Sequence, residues 1–305
     1  MAVDTFQAKH RQLRNSWVAL NRQEATRLWG VFDTFLQDVR GEIEKYYSPG
    51  RAWLSSERRV ALRGALEIEA ARFAESYEDF IHAAMRRSAR VPLHAQAAAR
   101  QYYADLCRTE GARAIADELE TLNLLMFSQV PTATIEALWN RVVKGMVLSD
   151  RIWDLTEAGM ADIQQTLVAG AIAGKDVGWV SRAVERHIRP GQKGPGWTSR
   201  GKPAKRPLPD GGYVGMKGRP AMYYAAARLT RTEMRLCAHD GHVRGHVATR
   251  TLMEPEGLNY LQGIKWQLSV SHPAMDQCDD YAAGGSAGLP PGVYHPEDVP
   301  SSHPL

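Results

Sequence analysis

Three histidines in one helix-like segment have the spacing of metal ligands. His239, His242 and His246 are separated by three, four and seven residues, which places all three on one face of a helix. No Glu lies between them, so the segment lacks the His-Glu-x-x-His pattern of a zinc protease. A polar, partly solvated helix face explains the same spacing, and we favour that interpretation over a metal site.

A second group of metal-ligand residue types lies near the C-terminal end. Cys278 and His303 are residues that zinc accepts as ligands. A closed structural zinc site takes four nitrogen or sulfur ligands, so one thiolate with scattered imidazoles is an incomplete set. His303-Pro304 is also a dipeptide suited to a turn. We keep Cys278 and His303 as the metal candidates, with zinc as the metal, and predict no other cofactor.

Hydrolytic chemistry has weaker support. Ser271, His272 and Asp276 are the residue types of a catalytic triad, but a triad is defined by geometry in space and not by neighbouring positions. Ser286 lies in the glycine-rich segment 284–288. A nucleophile elbow follows a strand, and no convincing strand precedes this segment. A flexible glycine turn is the better interpretation. We therefore predict no catalytic residue and no enzyme activity.

Positive charge concentrates in one segment rich in glycine and proline, residues 189–220. Its densest part contains Arg200, Lys202, Lys205 and Arg206, with aromatic residues on either side. Clustered cations neutralise phosphates, and aromatic rings stack on exposed bases. The same composition suits an arm that docks on an acidic protein surface. DNA contact and protein contact both stay open, with an inert loop as the third alternative.

The elements that must position these residues are mostly helical. The chain has 305 residues, of which 44% are hydrophobic and 24% charged, as in a globular protein with room for two domains. Apolar residues recur at three- and four-residue spacings as far as residue 188. The predicted helices cover residues 5–47, 55–90, 93–123, a segment from 131 with an apolar stripe to 146, a segment from 149 to about 170–174, 176–187 and 221–252.

The C-terminal part has a different pattern. Residues 264–270 alternate between apolar and polar, which predicts a half-buried strand, and 293–294 is a second, shorter one. We predict a mostly α fold in which a long N-terminal helical part precedes a small α+β C-terminal domain. The predicted domains are 1–188 (helical), 189–220 (basic loop or arm) and 221–305 (α+β).

The composition also bears on location. No apolar run approaches the roughly 20 residues that span a bilayer, and the N-terminus lacks the apolar centre of a secretory signal. Three cysteines, an odd and small number, argue against a disulfide framework. We therefore expect folding in a cytoplasm and no membrane partner.

Short stretches from residue 148 onward occur in the order found in one known family. They are Leu-Ser-Asp-Arg-Ile-Trp (148–153), Gly-Ala-Ile-Ala-Gly-Lys (170–175), Arg-Thr-Glu (231–233), Lys-Trp-Gln-Leu (265–268), Ser-His-Pro (271–273), Asp-Gln-Cys-Asp (276–279), Gly-Val-Tyr (292–294) and His-Pro (303–304). In this order the chain resembles the Mu F-like minor head proteins of tailed bacteriophages, over roughly residues 148–305. Residues 1–147 carry none of the resemblance.

The resemblance implies a structural protein inside the virion head, present in the host cytoplasm during assembly. It implies a role in head assembly and in genome packaging or ejection. The implied partners are the portal protein, the major capsid protein and packaged double-stranded DNA.

One departure from the family concerns zinc. Family members continue after the final His-Pro-x with Cys-x-Cys, and this sequence ends at Leu305. With those two cysteines, Cys278 and His303 would complete a four-ligand zinc set. Two alternatives from other classes stay open: a metal-dependent hydrolase or toxin-like effector, and a free DNA-binding module.

Overall fold

A computed structural model describes residues 2–46, 56–188, 221–253, 263–265, 277–295 and 298–300. The elements in chain order are α1 (Ala2–Tyr46), α2 (Ser56–Thr109), α3 (Arg113–Trp139), α4 (Leu148–Ile172), α5 (Val177–Ile188), α6 (Met222–Met253), β1 (Ile264–Lys265), α7 (Gln277–Ala283) and β2 (Val293–Tyr294). The predicted fold class is confirmed, since the chain is mostly helical and its two short strands lie near the C-terminal end.

Residue contacts divide the chain into two compact units whose segments alternate along the sequence. Unit 1 comprises residues 1–17, 85–138 and 233–305, and unit 2 comprises 18–84 and 139–232. This division differs from the three consecutive domains predicted from the sequence. The reason is that α1, α2 and α6 each contribute residues to both units.

Two prolines lie inside helices where the sequence predicts helix boundaries. Helix α2 continues through Pro92 and α3 through Pro131, so the predicted break at 91–92 and the predicted start at 131 are wrong. A proline inside a helix removes one backbone hydrogen bond and costs about 3 kcal/mol. Burial of the neighbouring Ala89, Leu93 and Val130 offsets this cost.

Helix α3 ends at Trp139, before the predicted apolar stripe to residue 146 is complete. Val143 and Met146 instead exchange backbone hydrogen bonds of 2.8 and 3.2 Å. Lys144 and Gly145 between them have φ values of 54° and 81°. Two successive left-handed residues form a tight hairpin turn, so the helical prediction for 140–146 is wrong.

Helix α4 is bounded by local signals that the sequence carries. It begins at Leu148, and the carboxylate of Asp150 accepts a hydrogen bond of 3.1 Å from the backbone N–H of Val147. The N-cap is thus Val147, two residues before the predicted Ser149. At the other end, Gly174 has a φ of 59° and the backbone N–H of Lys175 bonds to the carbonyl of Gly170 at 2.9 Å. This Schellman arrangement confirms the predicted helix end.

Aromatic rings fill the core of unit 2. The ring of Phe32 packs edge-on against Phe73 and Tyr223, at centroid distances of 4.8 and 5.5 Å. Tyr77 lies beside them, fully buried, and its hydroxyl donates a 2.8 Å hydrogen bond to the carbonyl of Ala226. Because the hydroxyl has this hydrogen-bond partner, the whole tyrosine side chain can be buried.

Glycines bring α2 and α6 close together in unit 1. A Cβ atom at Gly241 would lie 2.7 Å from the carbonyl oxygen of Ala89, and one at Gly245 would lie 1.9 Å from Oε1 of Gln96. The two glycines are four residues apart and share one face of α6. At Gly241 the obstacle is backbone, so only glycine permits this approach of the two helices, whereas at Gly245 the Gln96 side chain would have to move.

The C-terminal part contains an antiparallel pair of short strands. Ile264 pairs with Tyr294, and Lys265 pairs with Val293. The predicted strand at 293–294 is confirmed, and the first two residues of the predicted strand 264–270 belong to β1. Residues 266–270 lie outside the described part of the chain. Among the described helices, none has the length and apolar character needed to cross a membrane.

Candidate functional site

The histidine triplet of α6 faces other parts of unit 1. The ring of His239 is hydrogen-bonded to the backbone carbonyl of Pro300. The rings of His242 and His246 meet edge to face with centroids 4.5 Å apart. Gln96 of α2 donates a 2.7 Å hydrogen bond to the carbonyl of His242. The three rings share a helix face, as the spacing predicts, but His239 has a different partner from the other two.

Arg100 lies at the centre of the polar contacts around these histidines. Its side chain is fully buried and donates hydrogen bonds of 2.6 Å to Oδ1 of Asn123 and 2.9 Å to Oγ1 of Thr249. Helices α2, α3 and α6 are therefore joined through one guanidinium. Hydrogen bonds from a charged donor are stronger than neutral ones, and they offset part of the cost of burying the charge.

The electrostatics of this cluster disfavour a bound cation. Burial, and after it the electrostatic interactions with His242 and Arg100, lower the pKa of His246 to about 3. The Nδ1 atom of His246 is buried and has no hydrogen-bond partner among the described residues. A divalent metal placed between His242 and His246 would meet the repulsion of the Arg100 guanidinium. The cluster is built to hold helices together.

Burial also affects the first histidine of the triplet. It lowers the pKa of His239, while the Asp240 carboxylate and the bond to Pro300 act in the opposite direction. Asp240 itself accepts hydrogen bonds from Thr134, at 2.7 Å, and from Arg244, at 2.5 Å. These contacts connect α6 to α3 and to the C-terminal segment.

Ser286 lies in the turn after α7, where its hydroxyl has a structural role. Its Oγ donates a 2.6 Å hydrogen bond to Asp298 and accepts a 2.9 Å bond from the backbone N–H of His295. The imidazole of His295 lies 3.4 Å from the guanidinium of Arg250 instead. Serine, histidine and aspartate thus come together without triad geometry, because the serine hydroxyl donates to Asp298 and the His295 imidazole lies beside Arg250.

A second hydroxyl holds the same C-terminal region. Tyr294 of β2 donates a 2.8 Å hydrogen bond to the carbonyl of Tyr281 in α7. A Cβ atom at Gly284 would lie 2.8 Å from that tyrosine oxygen, so glycine is needed there. The predicted glycine turn at 284–288 is confirmed as a turn, and hydrogen bonds define its shape.

Several predicted site residues lie where the structure gives no account of them. Residues 189–220, with Arg200, Lys202, Lys205 and Arg206, are outside the described ranges, as are Ser271, His272, Asp276 and His303. Cys278 belongs to α7, but its side chain is outside the described part. Within the described residues no group of three or more His, Cys, Asp or Glu side chains could hold a metal ion. The zinc and basic-arm assignments therefore stay predictions.

The Arg100 cluster was missed by sequence reasoning. Arg100 and Gln96 lie in an alanine-rich stretch of α2 that resembles an ordinary helix surface. The available signal was Gly241 and Gly245, four residues apart in α6, because paired small residues mark close helix approach. Nothing in the sequence indicates which polar residue faces them.

Comparison of this chain with protein-family models, with curated proteins and with solved structures found no match in any of the three.

Proposed function

We propose that this protein is a minor head protein of a tailed bacteriophage that acts in head assembly, and in genome packaging or ejection, through contacts with portal protein, major capsid protein or DNA. The resemblance of residues 148–305 to the Mu F-like family motivates the proposal. On this proposal the protein acts by recognising its partners and not by catalysis.

One observation carries the structural character of the proposal. Ser286 and the histidines of α6 are residue types that could take part in catalysis, but they form contacts that hold turns and helices in place. A buried hydroxyl that donates to a carboxylate and accepts from a backbone N–H is not positioned to attack a substrate. This use of the residues supports an assembly protein over a hydrolase.

The decisive experiment places the protein in or outside the particle. Procapsids and mature virions of the encoding phage are purified and their proteins quantified by mass spectrometry. The major capsid protein serves as the positive control, and a replication enzyme of the same phage as the negative control. We expect a few copies per particle. The ratio of protein in purified particles to protein in the lysate should equal that of the major capsid protein. Absence from both procapsids and virions would overturn the proposal.

The basic arm requires a separate experiment. The triple variant Lys202→Gln/Lys205→Gln/Arg206→Gln is compared with a matched variant that neutralises three cations outside the arm, Arg90, Lys144 and Lys175. If the arm contacts DNA, the triple variant alone weakens duplex binding and lowers the slope of log affinity against log salt by about 3. If it contacts protein, duplex binding is unchanged and incorporation into procapsids falls.

A further inference from the structure

A groove lies between α4 and the first turns of α6, within unit 2. Its volume is about 440 Å³, which is in the range of pockets that enclose ligands. On the α6 side the lining consists of Met222, Ala225 and Leu229. These residues are three and four positions apart and share one helix face. The groove therefore has an apolar floor.

Gly159 of α4 determines how that floor is packed. A Cβ atom at position 159 would lie 2.0 Å from the sulfur of Met222. Without a side chain at 159, Met222 packs against the backbone of α4 and is almost fully buried. The small residues Ala158 and Ala225 line the same groove.

Helix α4 supplies the charged edge of the groove. Asp154 is exposed and Asp162 half-buried, and both line the groove together with Arg151. The two carboxylates are eight residues apart, or about 12 Å along the helix. The helix as a whole carries Asp150, Asp154, Glu157 and Asp162 against the single cation Arg151. The charged lining therefore holds two carboxylates and one guanidinium, while Arg228 and Arg231 of the same stretch of α6 lie outside the lining.

We propose that this groove docks an amphipathic helix of a partner protein, one with apolar side chains along one face and lysine or arginine beside them. Apolar side chains at helical spacing would cover Met222, Ala225 and Leu229. Two cations seven or eight residues apart would match the separation of Asp154 and Asp162. The inference is independent of the phage assignment, since a purified protein and a peptide test it.

The test uses the full-length chain and a fluorescent helical peptide of about 16 residues. The peptide has leucines on one face and two lysines eight positions apart, and its control has glutamates in place of the lysines. Binding is followed by fluorescence anisotropy at low salt. We expect the lysine peptide to bind about tenfold more tightly than the glutamate peptide. The variant Asp154→Lys/Asp162→Lys should reverse the preference.

Matched variants separate groove binding from general attraction to an acidic helix. Ala158→Trp fills the groove and should abolish binding, whereas Ala161→Trp adds the same ring at an exposed position of α4 that does not line the groove. Glu157→Lys changes a charge outside the lining and should leave the preference for the lysine peptide in place. Equal binding of both peptides, or binding that survives in a folded Ala158→Trp protein, overturns the proposal.

Two other occupants are outcomes of the same experiment. If the chain self-associates and Ala158→Trp abolishes that association, a second copy fills the groove and the partner proposal is overturned. If only the variant Lys202→Gln/Lys205→Gln/Arg206→Gln binds the peptide, the segment 189–220 of the same chain competes for the groove, and the proposal is overturned as well. Presence or absence in virions changes none of these results.

Discussion

The cores of the two units differ in chemistry. In unit 2, Phe32, Phe73, Tyr77 and Tyr223 form a core of packed rings. In unit 1, the buried Arg100 joins three helices through directed hydrogen bonds. Burial of rings is nearly non-directional and scales with area, whereas a buried guanidinium is stable only with oxygen acceptors at defined positions. The aromatic core should therefore tolerate changes of shape that the polar core does not.

The largest effect is expected in the aromatic core. Phe32→Ala removes a fully buried ring and should lower the free energy of unfolding by about 3–5 kcal/mol. Phe32→Leu keeps much of the volume and should cost about 1.5 kcal/mol or less. Urea unfolding followed by circular dichroism measures both, and hydrogen exchange identifies the unit that opens. Equal losses for the two variants would contradict an area-based core.

The polar core should respond differently to conservative replacement. Arg100→Met leaves Asn123 and Thr249 without the guanidinium and should cost about 2–4 kcal/mol. Arg100→Lys should recover little of this loss, because one ammonium does not reproduce the two-directional donation of a guanidinium. Urea unfolding gives the free energies. The control Arg90→Met changes an exposed residue of α2 and should stay within about 0.5 kcal/mol of wild type. Full rescue by lysine would show that charge alone matters.

Helix approach in unit 1 is tested by adding one methyl group. Gly241→Ala places a Cβ atom 2.7 Å from the backbone oxygen of Ala89, and we expect a loss of about 1–3 kcal/mol. Gly30→Ala in α1 meets nothing within 4 Å and should gain about 0.5–1 kcal/mol from helix propensity. Thermal melting of both variants makes the comparison. A stabilised Gly241→Ala would mean that α2 and α6 are farther apart than described.

The smallest effect is a pH dependence centred on unit 1. The pKa of His246 is lowered to about 3 in the folded protein, so the unfolded chain binds its proton first as the pH falls. Stability from this residue is complete above about pH 6.5 and is lost as the pH falls toward 3. Wild-type protein should lose about 1–2 kcal/mol between pH 7.5 and pH 5 through this residue.

Unfolding at both pH values is compared with His246→Gln. The variant should have a shallower dependence, and the lowered pKa values of His239 and His187 leave a residual slope of the same sign. Identical slopes for wild type and variant would show that His246 is accessible to protons in the folded state.

Local signals in the sequence predicted most of the helices. The apolar spacing places α5 and α6 within a residue or two of their observed ends, and Gly174 terminates α4 because glycine adopts a left-handed conformation at low cost. Val293 and Tyr294 likewise form the predicted short strand. These features depend on interactions between residues close in sequence.

The sequence did not predict features that depend on distant residues. Pro92 stays inside α2 because buried neighbours offset the missing hydrogen bond. Ser286 is held by Asp298, twelve residues away in sequence, and by the backbone of His295, nine residues away. Arg100 is buried because Asn123 and Thr249 present oxygens to it from two other helices.

The sequence by itself determined the helical class and most helix positions, since backbone propensity and apolar periodicity act over a few residues. Tertiary structure alone decided which polar side chains are buried and which of them make structural contacts in place of reactive ones. A polar group's role depends on the partners that the fold brings to it, and these partners lie far away along the chain. For that reason the histidines of α6 and Ser286 have the residue types of reactive sites and the contacts of structural ones.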